Sequence, residues 1–464
     1  MSPQPILVNA FDMNCPTHLV AGTWRDPESD AAGYKDIAYW TRLAQICERG
    51  LFDGIFIADV LGIYDVYGGG NDGALRGGAQ VPVNDPLLVV PAMAAVTDHL
   101  GFGITCSTSF EHPYTFARRM STLDHLTKGR VGWNIVTSYL ESGARNIGLD
   151  SQVRHDNRYD IADEYMEVLY KLWEGSWEDD AVVEDVARNL YVDPEKVHPI
   201  EHQGEYFKVP GIHLCEPSPQ RTPLLYQAGQ SNRGKTFAAE HAEAVFMGAP
   251  TAEIMRGNVD DLRGRAVGAG RDGHDIKVFS SYSVVTAPSE AEAEEKHAYY
   301  RSLIDPEGTL VLWSGWLGFD LSPYELDEPL RMVPNEAMQS TNETFGDGKW
   351  TVRDLVEGLG LGADGPTAVG SPEQVADQIE AWIDETGADG LNLNHVVTPG
   401  TYADFADLVV PELQRRGRYR TSYEEGTLRE KLFGRGARLP ETHQAARRRH
   451  DHAAAPATPA AAAA

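Results

Sequence analysis

The chain has 464 residues, 42% hydrophobic and 23% charged, the composition of a globular protein long enough to bury a large core. Its 40 lysines and arginines face 69 aspartates and glutamates, for a formal net charge of −29. Such a field repels phosphate backbones and anionic lipid, which argues against nucleic acid and membrane surfaces as partners. Any anionic cofactor has to be held by local donors.

No basic and apolar leader opens the sequence and no run approaches about 18 apolar residues, so a cytoplasmic location is expected. Residues 6–11 read as a first strand, followed by a helix over 39–47. A second strand is expected at 54–60 (GIFIADV) with a helix over 86–99 behind it, and a third at 103–109. The next helix, 112–128, has Pro113 in its first turn, Phe116, Met120 and Leu123 at helical spacing, and Gly129 as its stop. Strand four is 131–138 (VGWNIVTS), and the helix after it carries Ile161, Tyr165, Val168, Leu169 and Leu172 at a 3.6-residue period. Strands five to seven fall at 223–229, 244–247 and 276–285. Ser371 and Gln374 make a capping box, 390–397 (GLNLNHVV) is the eighth strand, and a helix ending at Arg416 completes the count. Eight strands alternating with helices predict an α/β protein, a (β/α)8 TIM barrel.

Two insertions, at about 175–222 and 305–365, break the rhythm; the second, with Trp313 and Trp316, suits a lid. Residues 1–437 are therefore expected to form one barrel domain. The Ala/Pro-rich segment 438–464 reads as a disordered tail; His443, His450 and His452 in it could bind metal adventitiously, but a solvated tail is the better reading. Cys15, Cys47, Cys106 and Cys215 show no CxxC spacing, so neither a disulfide framework nor a metal site is expected.

Barrel enzymes place their chemistry at the C-terminal ends of the strands. Polar residues end four of them: Asp59, Thr105 to Ser109, Asn134 with Thr137, and the turn Gly229-Gln230-Ser231. Taken singly, each reads equally well as a cap; four strands ending alike favour a site. The stretch QAGQSNRG (227–234) runs straight into a helix, and its small residues, hydroxyl and free N–H groups make an anion site, with Arg233 as a counter-charge. His155 and Tyr159 share one helix face. Gly360-x-Gly362-x-x-Gly365 matches a dinucleotide fingerprint in letters but follows a helical stretch, so it is read as a loop. Without a nicotinamide fold, electrons for any redox reaction must arrive from elsewhere.

The segments FDGIFIAD (52–59), MAAVTDHLGFGIT (93–105), FARRMSTLDHLTKGRVGWNIVTS (116–138), RHDNRYDIADEY (154–165), LLYQAGQSNRG (224–234) and AEAVF (242–246) resemble the bacterial-luciferase-like flavin-dependent monooxygenases, in the branch of the nitrilotriacetate and dibenzothiophene-sulfone monooxygenases. VNAFDM, ADVLGIYDVYGG, QVPVNDP, YKLWEGSWEDDAV and HLCEPSPQRTP look closest to that branch's dimethyl-sulfide-oxidising members. The resemblance covers residues 6–435. It implies a barrel that binds FMN as FMNH2, uses O2 as co-substrate, depends on a separate NAD(P)H:flavin reductase and forms a homo-oligomer. The branch's flavin positions fall on Asp59, Thr105, His155, Tyr159 and Ser231, and Asn134 joins them from its own strand end. His18 matches a catalytic histidine and Phe246 an apolar wall. Trp316 stands where sulfone-cleaving relatives carry a second histidine, which points to a smaller, more apolar organosulfur substrate cleaved at C–S. C–N cleavage of an aminopolycarboxylate, a deazaflavin-dependent hydride transfer and a non-redox barrel hydrolase are the rival readings.

Overall fold

The computed structural model describes residues 5–450 apart from Met332, Pro334 and Ala363. Nine parallel strands form the central sheet: β1 (Leu7–Met13), β2 (Gly54–Ala58), β3 (Gly101–Ser107), β4 (Val131–Val136), β5 (Leu224–Gln227), β6 (Ala244–Met247), β7 (Lys277–Thr286), β8 (Thr367–Gly370) and β9 (Gly390–Asn394). Eight of them close into a ring. β1 to β7 pair in sequence, β7 pairs with β9, and β9 returns to β1 with Leu7 opposite Gly390 and Phe11 opposite Asn394. β8 lies outside the ring on the far half of β7, Ser283 to Thr286. Sequence reading missed it because four residues carry no readable period.

The strands are buried on both faces and mostly apolar, with buried polar residues such as Asn9, Asn134, Ser281 and Asn392 among them. Phe11, Phe56, Tyr226 and Phe279 point into the barrel, while Val8, Ala10, Ile55 and Ile57 meet the surrounding helices with Trp40 and Leu43. The helix expected over 86–99 is broken into a short turn, Pro86–Leu88, and a helix, Val90–Ala94. Pro91 has no N–H to continue the ladder from the turn before it. In helix His155–Tyr170, Ile161 is only half-buried and Leu172 belongs to the π turn that follows.

Both insertions are folded. Residues 175–222 carry two small hairpins, and 305–365 contain helix Pro306–Leu317, a hairpin and helix Gln339–Phe345. The second insertion has its own apolar cluster, in which Trp313, Leu317, Phe345 and Leu355 join Tyr64 of the barrel. At the opposite end of the barrel, helix Leu428–Phe433 pushes Leu428 and Leu432 among Leu7, Phe56 and Leu224. Arg429 beside them is fully buried and grips both oxygens of the equally buried Glu243, at 2.7 and 2.8 Å.

The disordered tail expected from residue 438 does not hold for residues 438–450. His443 is buried and donates through Nε2 to the His241 carbonyl at 3.0 Å, Gln444–Arg448 forms a 3-10 helix, and Arg449 reaches the buried Glu174 at 2.8 Å. Composition misled because these basic side chains find buried acceptors. His452 lies outside the described residues. Among those described, no helix is long and apolar enough to cross a membrane.

Candidate functional site

A cavity of about 180 Å³ opens at the C-terminal ends of the strands. Asp59, His155, Tyr159 and Ser231 line it, four of the residues singled out from sequence. Its far wall is Ala337 to Ser340, so the second insertion covers the site as a lid would.

One side of the cavity presents a helix N-terminus and a hydroxyl, a chemistry suited to an anion. Ser231 caps helix Asn232–His241, accepting from the Gly234 N–H at 3.0 Å, and its hydroxyl lies 3.2 Å from His155 Nε2. His155 in turn directs Nδ1 at the Asp156 carboxylate, 2.9 Å away, which places a proton on that nitrogen. Tyr159, one turn along, lies with its ring 5.3 Å from that of His155, and burial raises its phenol above the ordinary range. The turn is held open by glycine: a Cβ on Gly229 would fall 2.3 Å from Gln227 Nε2 and 2.5 Å from the Tyr159 hydroxyl. Arg233 does not supply the expected counter-charge. It pairs with Asp160 and Asp163 and lies over the Tyr159 ring. The guanidinium that lines the cavity is Arg158, whose two Nη atoms donate to the carbonyls of Val153 and Glu336 while its buried Nε has no partner among the described residues. Burial lowers its pKa from the usual arginine range.

On the next strands, Thr105 and Asn134 are register partners and bond directly, Asn134 Nδ2 to Thr105 Oγ1 at 2.9 Å. Asn134 Oδ1 and Gln227 Oε1 are buried acceptors without partners among the described residues. Asp59 directly follows β2. Burial, reinforced by the neighbouring charge of Asp85, pushes its carboxyl up to about 7.

His18 and Phe246 belong to an adjoining aromatic group. The Phe11 ring lies 4.4 Å from that of His18 and 4.8 Å from that of Phe246, and the His395 ring is 5.8 Å from His18. Burial and His395 hold the His18 pKa well below the ordinary value, so it is neutral at pH 7, and its Nδ1 has no partner among the described residues. His395 was missed from sequence because the eighth strand was extended to 397. The strand ends at Asn394, which puts His395 on the rim, 3.0 Å from the Tyr402 hydroxyl.

Trp316 connects these two groups. Its Nε1 donates to the Tyr64 hydroxyl at 3.0 Å; Tyr64 donates to Gln80 Oε1 at 3.0 Å and meets the Tyr139 hydroxyl at 2.5 Å. Since Tyr64 spends its single proton on Gln80, Tyr139 must donate to Tyr64. Gln80 then donates to the His18 carbonyl at 2.8 Å. Tyr64 and Gln80 lie in the segments ADVLGIYDVYGG and QVPVNDP but sequence assigns them no role there, Tyr139 lies in no such segment, and only the fold gathers the three.

A family model described as luciferase-like monooxygenase matches residues 13–390. The dimethyl-sulfide monooxygenase of Hyphomicrobium sulfonivorans is 54% identical over 96% of this chain and 94% of its own length. The long-chain alkane monooxygenase of Geobacillus thermodenitrificans is 51% identical over 96% of this chain and 98% of its own. A crystal structure of a long-chain alkane monooxygenase superimposes with a TM-score of 0.90 at 50% identity, covering 97% of this chain and 100% of the other.

Proposed function

Since this chain belongs to the luciferase-like monooxygenases, we propose that it is the oxygenase half of a two-component system, fed with FMNH2 by a separate NAD(P)H:flavin reductase. The residues present fit FMN. The Ser231 hydroxyl, the first-turn N–H groups of helix Asn232–His241 and His155 would hold the phosphate, and Arg158 supplies positive charge inside a protein of net charge −29. The orphaned Asn134 Oδ1 and Gln227 Oε1 offer buried acceptors to the ring N–H groups. When bound, the reduced flavin supplies the two electrons that let one atom of O2 enter the substrate while the other leaves as water.

The chain's own contribution is enclosure and proton control. Ala337 to Ser340 keep water from the cavity. Neutral His18, with Nδ1 free, can donate or accept a hydrogen bond beside the reacting atoms without bringing a charge.

The substrate reading rests on one observation: the groups gathered near His18 are aromatic, with Phe11 against its ring, Phe246 against Phe11, and Trp316 and Tyr64 tied to its carbonyl through Gln80. A polyanion would need several charge-assisted donors there. The lid helix is also pressed close, since a Cβ on Gly315 would fall 2.1 Å from the Tyr64 ring. A short, weakly polar dialkyl sulfide fits: dimethyl sulfide, O2 and FMNH2 would yield methanethiol, formaldehyde, FMN and water. The test is O2 consumption with reductase, NADH and FMN against dimethyl sulfide, hexadecane, dibenzothiophene sulfone and nitrilotriacetate. Thiol release from the sulfide is the expected result. Turnover of hexadecane or nitrilotriacetate with none of any small sulfide overturns the substrate reading.

A further inference from the structure

The flavin reading leaves unused a cluster where the first insertion meets residues 438–450. Glu178, His198 and His450 each bring a ligand atom to within 4.8 Å of the others. Glu178 Oε1 lies 2.9 Å from His198 Nε2, and the imidazoles of His198 and His450 are 4.1 Å apart. The first two residues sit on a fixed scaffold. They flank an antiparallel bridge between Trp177 and Val197, with the Glu178 N–H on the Lys196 carbonyl at 3.0 Å and the His198 N–H on the Ser176 carbonyl at 2.7 Å. His450 is delivered by its neighbour Arg449, anchored on buried Glu174 at 2.8 Å.

Two imidazoles and a carboxylate are the donor set of a zinc ion with three protein ligands and an open fourth position. The tautomer is also prepared. His450 Nε2 donates to the Gly175 carbonyl at 2.5 Å, which leaves the lone pair on Nδ1, and such an outer partner is what orients a metal-bound histidine. A second cluster, Asp163, Glu240 and His241, lacks this property. Both ring nitrogens of His241 are engaged, Nδ1 with the Tyr170 hydroxyl at 2.9 Å and Nε2 with Asp163 at 3.2 Å.

We propose that Glu178, His198 and His450 bind a divalent transition-metal ion of the zinc class, which staples residues 438–450 to the insertion at 175–222. The reading of His450 as solvated is thereby replaced by a structural role.

Zinc chloride titrated calorimetrically into tag-free, chelator-treated full-length protein should show about one saturable ion per chain. Affinity should fall about tenfold or more in His198→Ala and in His450→Ala, and fall also in Glu178→Gln, a shape-preserving control, while His241→Ala binds as wild type. Zinc should slow tryptic cleavage after Arg447 and Arg448 in the wild type and not in His198→Ala. The proposal is overturned if no saturable binding is found, if His198→Ala and His450→Ala bind as wild type, or if bound zinc leaves tail cleavage unchanged.

Discussion

Replacing Ser231 by alanine removes two interactions with separable readouts. Its Oγ accepts from the Gly234 N–H at 3.0 Å as a helix cap and stands 3.2 Å from His155 Nε2 at the cavity. Losing the cap costs about 0.5–2 kcal/mol of stability, while leaving a charged phosphate one donor short costs about 1–3 kcal/mol of binding, or roughly 5- to 150-fold in Kd. Anaerobic fluorescence titration with FMNH2 and with reduced riboflavin separates the two, because riboflavin has no phosphate to lose. Ser231→Ala should weaken FMNH2 by that factor and leave riboflavin unchanged. Ser231→Gly serves as a control, since glycine caps within a few tenths of a kcal/mol of serine, so it should show the same binding loss at nearly wild-type stability. An equal loss for both flavins would refute the phosphate assignment and place Ser231 under the ring or in the fold.

Asp59, pushed up to about 7, is a neutral acid below that pH and a carboxylate above it, so FMN affinity should fall as pH rises through 7 and Asp59→Asn should flatten the profile. Because its pKa is raised on folding, ionisation works against the folded state. Stability of the flavin-free protein should decline from the ordinary carboxylate range up to about pH 7, and thermal melts of Asp59→Asn should lack that decline. His18→Ala should keep flavin binding but uncouple turnover, with H2O2 replacing product; coupled, wild-type turnover would remove His18 from the mechanism. Trp316→His should raise KM for a small sulfide by about tenfold through loss of about 1.4 kcal/mol of apolar contact, and an unchanged KM would place Trp316 outside the pocket.

The barrel was legible because its signals are local and repeated. GIFIA and VGWNIV are largely apolar runs and GLNLN a short buried run between helical patterns, and the Ser371 capping box forms as the spacing implies. The gathering of His155, Tyr159 and Ser231 at the cavity was legible for the same reason, since Ser231 and Gly234 sit in one turn and His155 and Tyr159 on one helix face. What failed depends on partners distant in sequence. Arg233 and Arg158 look alike in sequence, yet the carboxylates of Asp160 and Asp163 take one and leave the other at the cavity. The Trp316–Tyr64–Gln80 chain joins residues separated by 252 positions in its first link, and no spacing rule reaches that far. Tail burial depends likewise on Glu174, which composition cannot see.

The stopper formed by Leu428, Leu432 and the Arg429–Glu243 pair also orders events during synthesis. The cavity residues Asp59, His155, Tyr159 and Ser231 are all synthesised before half of the chain is made. The ring they sit on cannot close until Gly390–Asn394 emerges to pair with Leu7–Met13, and its floor stays open until helix Leu428–Phe433 follows. Glu243 meanwhile waits as a charge with no counter-ion in a site destined to exclude water. The nascent chain is therefore most exposed to aggregation while it lacks only its last few dozen residues, and the cavity is complete only after translation.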